Sequence, residues 1–114
     1  MIGRRRQPDQ YGWFNDKLYP GDYVRVAPTA MADGSPLPSN WAESMKAPYW
    51  MCCSPNGHVA NLGNHEVTEH EDGTITVKPS IVLFGPGGKE CWHGMLEKGV
   101  YTTLPPTGRQ GYGT

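Results

Sequence analysis

Residues 65–78 read HEVTEHEDGTITVK, and this stretch decides the fold. Ile75 and Val77 alternate with Thr74, Thr76 and Lys78, so an extended strand here has one apolar face for a core and one polar face for water. Asp72-Gly73 separates that strand from HEVTEH. The pair predicts a tight type I′ hairpin, because both central residues need positive φ, which glycine takes without steric cost and aspartate tolerates better than most.

Outward from the hairpin, short apolar runs and turn signals keep alternating. YWMCC (49–53), HVANL (58–62), SIVLF (80–84), CWHGML (91–96) and GVYTTL (99–104) all read as strands. Residues 84–88, FGPGG, form a flexible loop, and Glu97-Lys98-Gly99 a further tight turn. Upstream, DYVRVA (22–27) is bounded by Pro20-Gly21 and Pro28 and is a strand candidate. Residues 29–38 read as a loop; Ser39 is a candidate N-cap for one or two helical turns over 41–45, which Pro48 stops.

The fold expected is therefore all-β, a short-stranded antiparallel sandwich or barrel over residues 21–104, with extended N- and C-terminal arms. Residues 1–20 form the first arm. Its Tyr11, Trp13, Phe14, Leu18 and Tyr19 are more aromatic and apolar than a polar linker, so they pack on something, either their own domain or a neighbouring molecule. Residues 105–114, PPTGRQGYGT, have almost nothing to bury and read by composition as a disordered tail.

Composition agrees with short strands and turns. Of 114 residues, 15 are Gly and 11 Pro, while 37% are hydrophobic and 18% charged, both below ordinary globular usage. One modest core is the most such a chain builds. A formal charge of −1 gives no field to recruit nucleic acid or an anionic membrane. Arg4-Arg5-Arg6 is the local exception, read either as a solvated tail or as an arm that docks on phosphate or on an acidic protein surface. No apolar run is long enough to span a bilayer, and no signal core follows a charged start, so a cytoplasmic protein is expected. Cys52, Cys53 and Cys91 are odd in number and two are adjacent, a poor disulfide framework that suits a reducing compartment.

Thiols and imidazoles suggest one chemistry. Cys53-Ser-Pro-Asn-Gly-His58 is a bent turn that can present two ligands, and Cys91-Trp-His93 places two more on one strand face, so Cys53, His58, Cys91 and His93 are candidate ligands of a structural zinc. Such a clip would add folding free energy to a small core. The alternative is ordinary buried cysteines and hydrogen-bonded histidines. A catalytic reading would use Cys91, His93 and Glu66 or Glu69, but any chain with three Cys and four His offers such combinations. The P-loop, GxGxxG, HExxH and nucleophile-elbow patterns are missing, so no enzyme is expected. Trp50 and Trp92 read as core; Trp13 and Trp41, in irregular segments, read as interface anchors.

Three blocks carry a resemblance: Cys53-x-x-Asn56-Gly57-His58, residues 72–81 (DGTITVKPSI), and Cys91-Trp92-His93-Gly94-Met95-Leu96-x-x-Gly99-Val100. Together they resemble a family of small uncharacterised proteins frequent in tailed-bacteriophage genomes, sometimes labelled ammonia monooxygenase without a convincing basis. The likeness covers about half the chain, from Cys53 to Tyr101. This chain departs from the family pattern where Cys91 adjoins Trp92 directly and where Ser54 precedes Pro55. The resemblance implies a viral origin and a compact β fold that could hold a zinc ion, with no established activity.

The function expected is a phage-type virion structural or accessory protein. It would be made in the host cytoplasm and dock on a capsid or tail, or on copies of itself in a symmetric assembly. Arg4, Arg5, Arg6, Tyr11, Trp13, Phe14 and Trp41 are the expected partner-binding residues; membrane and nucleic acid are not expected partners. Two alternatives are a non-virion zinc module that binds a host protein and a metal-dependent hydrolase.

Overall fold

The computed structural model describes residues 1–109, Ala42 by its backbone alone, and the chain is nearly all β. In chain order the elements are β1 (Arg4–Arg6), β2 (Asp22–Val26), α1 (Trp41–Met45), β3 (Tyr49–Cys53), β4 (Val59–Asn61), β5 (Glu66–Glu69), β6 (Ile75–Phe84), β7 (Glu90–Glu97) and β8 (Val100–Thr103), with one 3-10 turn at Pro86–Gly88. They build two four-stranded sheets, β1-β2-β3-β4 and β5-β6-β7-β8. Pairing is antiparallel throughout except between β1 and β2, which run parallel. Of the expected C-terminal tail, residues 110–114 lie outside the described residues.

The hairpin that decides the fold forms, with a different turn. Ile75 and Val77 are fully buried as the alternation requires. The loop is longer than a two-residue I′ turn: His70 N–H donates to the Thr74 carbonyl and Gly73 N–H to the His70 carbonyl, and of its central residues Gly73 alone has positive φ. Asp72 avoids the strained conformation and instead accepts from the Thr74 N–H (3.0 Å) and Oγ1 (2.6 Å). Three-residue loops with one left-handed glycine satisfy the strand twist equally well. The two-residue turn with both central residues at positive φ occurs at Lys98-Gly99, joining β7 to β8.

The main core lies between the sheets. Tyr23 and Cys52 from the first sheet meet Ile75, Val77, Ile81, Trp92, Leu96 and Tyr101 from the second. The first sheet is covered on its other face too, where Val24, Val26 and Cys53 pack with Leu18, Phe14, Tyr49 and Met51. Alternation along a strand sends neighbours to opposite faces, so Cys52 and Cys53 are each about 1% exposed but belong to different clusters.

The N-terminal twenty residues pack on their own domain, the first of the two possibilities their aromatics allowed. Phe14 and Leu18 roof the outer face of the first sheet. Backbone pairing then ties the segment to both sheets: Arg4–Arg6 align with Asp22–Val24, while Gly3 N–H donates to the Gly99 carbonyl (2.7 Å) and Tyr101 N–H to the Met1 carbonyl (2.8 Å). Gly3 is the crossing point. A Cβ there would lie 2.8 Å from the Gly21 oxygen and 2.9 Å from the Gly99 oxygen, so only glycine lets the chain pass between them. One side of the sandwich is thereby closed by residues 1–6.

Asp22 holds that closure. Its side chain is 3% exposed and takes Arg4 on both oxygens (3.0 Å each), Arg6 Nη1 (2.9 Å) and the Tyr19 N–H (2.9 Å). Burial pushes its carboxyl up, but the bonds from Arg4, Tyr19 and Arg6 together outweigh burial and set it below the usual aspartate range. Asp22→Ala removes three guanidinium bonds and the Tyr19 N–H bond, leaving Arg4 to solvent and Arg6 on Asp16, and is expected to cost about 1–3 kcal/mol in denaturant unfolding. A depressed carboxyl stabilises the fold above the unfolded aspartate value near ~3.9 and loses that contribution as pH falls through its lower folded value. Wild type should therefore lose stability in acid over that window, and the Asp22→Ala curve should be flatter there.

Candidate functional site

The four expected zinc ligands are not gathered into one set. The turn carrying Cys53 and His58 does lie against the start of β7, where Asn56 Nδ2 donates to the Cys91 carbonyl (2.8 Å). The side chains nevertheless diverge. Cys53 is sealed beneath the N-terminal segment, His58 is exposed, and Cys91 is half-buried. His93 has both ring nitrogens engaged elsewhere. Among the described residues no group of three or more His, Cys, Asp or Glu side chains is placed to hold a metal ion. The thiols are also poor anions: burial pushes Cys52 up to about 12 and raises Cys53 and Cys91.

Two of the three motif blocks that carry the resemblance, residues 72–81 and 91–100, meet across β6 and β7. His93 Nδ1 lies 2.7 Å from the Pro105 carbonyl, which can only accept, so Nδ1 bears the proton and Nε2 accepts from Ser80 Oγ (3.0 Å). The Ser80 carbonyl in turn accepts from His65 Nε2 (3.3 Å). This chain of bonds fastens the segment after β8 to β6 and to the approach to β5. Thr107 adds a second fastening, its N–H donating to Glu90 (2.9 and 3.1 Å). On the opposite face of β7 the Trp92 indole crosses Gly94, where a Cβ would lie 2.3 Å from the ring. The Trp-His-Gly run thus serves two faces: Trp92 and Gly94 the core, His93 the outer surface.

A serine hydroxyl beside an imidazole is the start of a nucleophilic site. Here the imidazole is oriented by the Pro105 carbonyl rather than by a carboxylate.

The expected partner-binding residues find partners within the chain. Arg4 and Arg6 are paired with Asp22, and Arg6 also with Asp16 and the Lys17 carbonyl. Arg5 bonds Glu69 and the Gly73 carbonyl and stacks on Trp50 at 5.0 Å. Trp13 donates Nε1–H to the Ala30 carbonyl (2.7 Å) and meets Trp41 edge-on at 6.0 Å. Phe14 packs on the outer cluster beneath Arg6, and the Tyr11 carbonyl accepts from Thr29. The large apolar side chains that are exposed lie elsewhere: Met1, Ile2 and Val100 beside the closed side, Tyr19 before β2, and Val59 on β4.

Sequence reasoning missed the opposite side of the sandwich. There β4 ends the first sheet, and the outer half of β6 has no partner beyond β7, because β5 pairs only with residues 75–78. A register shift between Val77 and Ile81 and the N–H-free Pro79 break the strand into these halves. Between the two margins lies a cleft of about 450 Å³, walled by residues 58–62 and 81–84 with Asn64 and His65. No run of residues advertises such a gap; it follows from β5 being short.

No protein-family model, curated protein or solved structure matches the chain. Among the described residues no helix is long and apolar enough to cross a membrane.

Burial orders thiol reactivity. Native protein treated with an alkylating reagent at pH 8 should label at Cys91 alone, with Cys52 and Cys53 reacting only on unfolding; equal labelling of all three, read by peptide mass spectrometry, would contradict the burial described.

Proposed function

We propose that this chain is a phage-type structural or accessory subunit of a virion, a binding protein rather than an enzyme. The viral part of the reading is supported by the phage-family resemblance of the Pro-Ser-Ile and Trp-His-Gly blocks. The binding part rests on one observation. Arg4, Arg6 and His93, which suggested docking or metal binding, are occupied by the chain itself, whereas large apolar side chains are left in water, with Ile2 85% and Met1 55% exposed. Ile2 bridges Val100, itself 41% exposed, so apolar side chains from the N-terminal segment and β8 stand together. Clustered exposed apolar residues on a small domain are the usual mark of a protein contact. Ionic steering is a minor part of such a contact, since the arginines of the arm are already paired.

Purified particles from a phage carrying this sequence should contain the protein at a fixed copy number by quantitative mass spectrometry. Ile2→Lys should reduce incorporation at least about tenfold, the scale of one well-buried apolar contact, with an unchanged melting temperature. Absence from particles when the protein is abundant in the lysate would refute the reading.

A further inference from the structure

The margins of the open side are edges whose backbone groups point into the cleft. Ser54 N–H donates to the His58 carbonyl and Leu62 N–H to the Trp50 carbonyl, 2.9 Å each. Antiparallel pairs alternate between bonded and non-bonded positions, so Ala60 faces β3 and Val59 and Asn61 turn their N–H and C=O away from it. On the second sheet Leu104 N–H donates to the His93 carbonyl, which turns His93 toward β8 and its neighbours Trp92 and Gly94 toward β6. Leu83 and Ile81 receive them, leaving Val82 turned outward. The Ser80 carbonyl, two residues earlier, points the same way and already accepts from His65.

These two edges differ from the others in their protection. Free strand edges are normally guarded by charge, proline or a covering segment. β1 is three arginines, β5 carries Glu66 and Glu69, and β8 is covered by residues 1–3. β4 reads Val-Ala-Asn and the outer half of β6 reads Ile-Val-Leu-Phe, and no residue lining the cleft is Asp, Glu, Lys or Arg. His65 adds an unmet acceptor, its Nδ1 buried beside the cleft with no donor.

We propose that this cleft receives an extended segment of another protein, about five residues long, which pairs as a strand with the β4 edge, the β6 edge or both. The proposal rests on the reading of the chain as an assembly subunit. Unpaired N–H and C=O groups at strand spacing are complementary to an extended backbone. With no Asp, Glu, Lys or Arg in its lining, the cleft selects a neutral segment. Leu62 and Ile81 beneath the cleft belong to the core, so alternate residues of the guest should be apolar. A second copy fits less well. A β4–β4 pair would leave the β6 edge bare, whereas a free extended segment can use either edge; pairing of β4 with β6 between two copies is the competing outcome of the test.

The test uses the full chain, isotope-labelled for amide resonances, and as probe a capped heptapeptide of alternating threonine and valine. Saturable shifts confined to the amides of Val59, Asn61, Val82 and their neighbours are expected. The same peptide N-methylated at every residue should bind at least about tenfold more weakly, since neither of its edges then offers the donors that a strand edge accepts. Val59→Lys, at a position 53% exposed, should weaken binding with the melting temperature kept; Val82→Lys provides the same guard on the other edge. No saturable shift, equal binding of the methylated peptide, or shifts of the Val59, Asn61 and Val82 amides that follow protein concentration without peptide would each overturn the proposal, the last in favour of a second copy. Incorporation into particles is read separately. A chain present in particles that ignores the peptide sinks this inference alone, and one that binds the peptide but is missing from particles sinks only the virion reading.

Discussion

One carboxylate organises the molecule. Asp22 sits at the start of β2 with its side chain almost wholly out of water, and two arginines from the strand beside it supply its charge balance. A buried carboxylate without partners is costly enough to be avoided altogether, so the first six residues cannot leave without exposing or protonating it. The same residues cover the edge of β8. The N-terminal segment is thus a structural seam, and the parallel pairing of β1 with β2 brings Arg4 and Arg6 together on Asp22 Oδ2.

Double coverage of the first sheet explains why a chain with so little apolar content folds around adjacent cysteines. β2 is almost continuously buried because sheet packing takes Tyr23 and the N-terminal roof takes Val24 and Val26. Two thin layers of side chains, one on each face, replace a single thick core. The thiols fill space within those layers as small apolar groups.

Much of this was legible in residues 65–78 and the runs around them. Alternation at Ile75 and Val77, the turn glycines and the short apolar runs gave the strands and the all-β class, because periodicity reports directly which side of a strand meets the core. Turn type was less legible: Asp72 has a side chain that can cap Thr74, and that bond made a longer loop with one left-handed glycine sufficient. The arginines read as free because a sequence does not show that Asp22, sixteen and eighteen residues away, turns inward to meet them. Cys53 and His58 read as co-ligands because spacing counts residues, not faces; one side chain points under the roof and the other into water. The open side was invisible for a related reason, since an unpaired edge is defined by the strand that fails to reach it.

Gly3 carries a consequence for motion. The chain passes from one sheet to the other there between two carbonyl oxygens that would touch any added carbon. The two layers are therefore bound along that margin like the leaves of a book along its spine. Any breathing of the sandwich has to swing about this line, and the amplitude grows with distance from it, so the far margin is where the leaves part most widely.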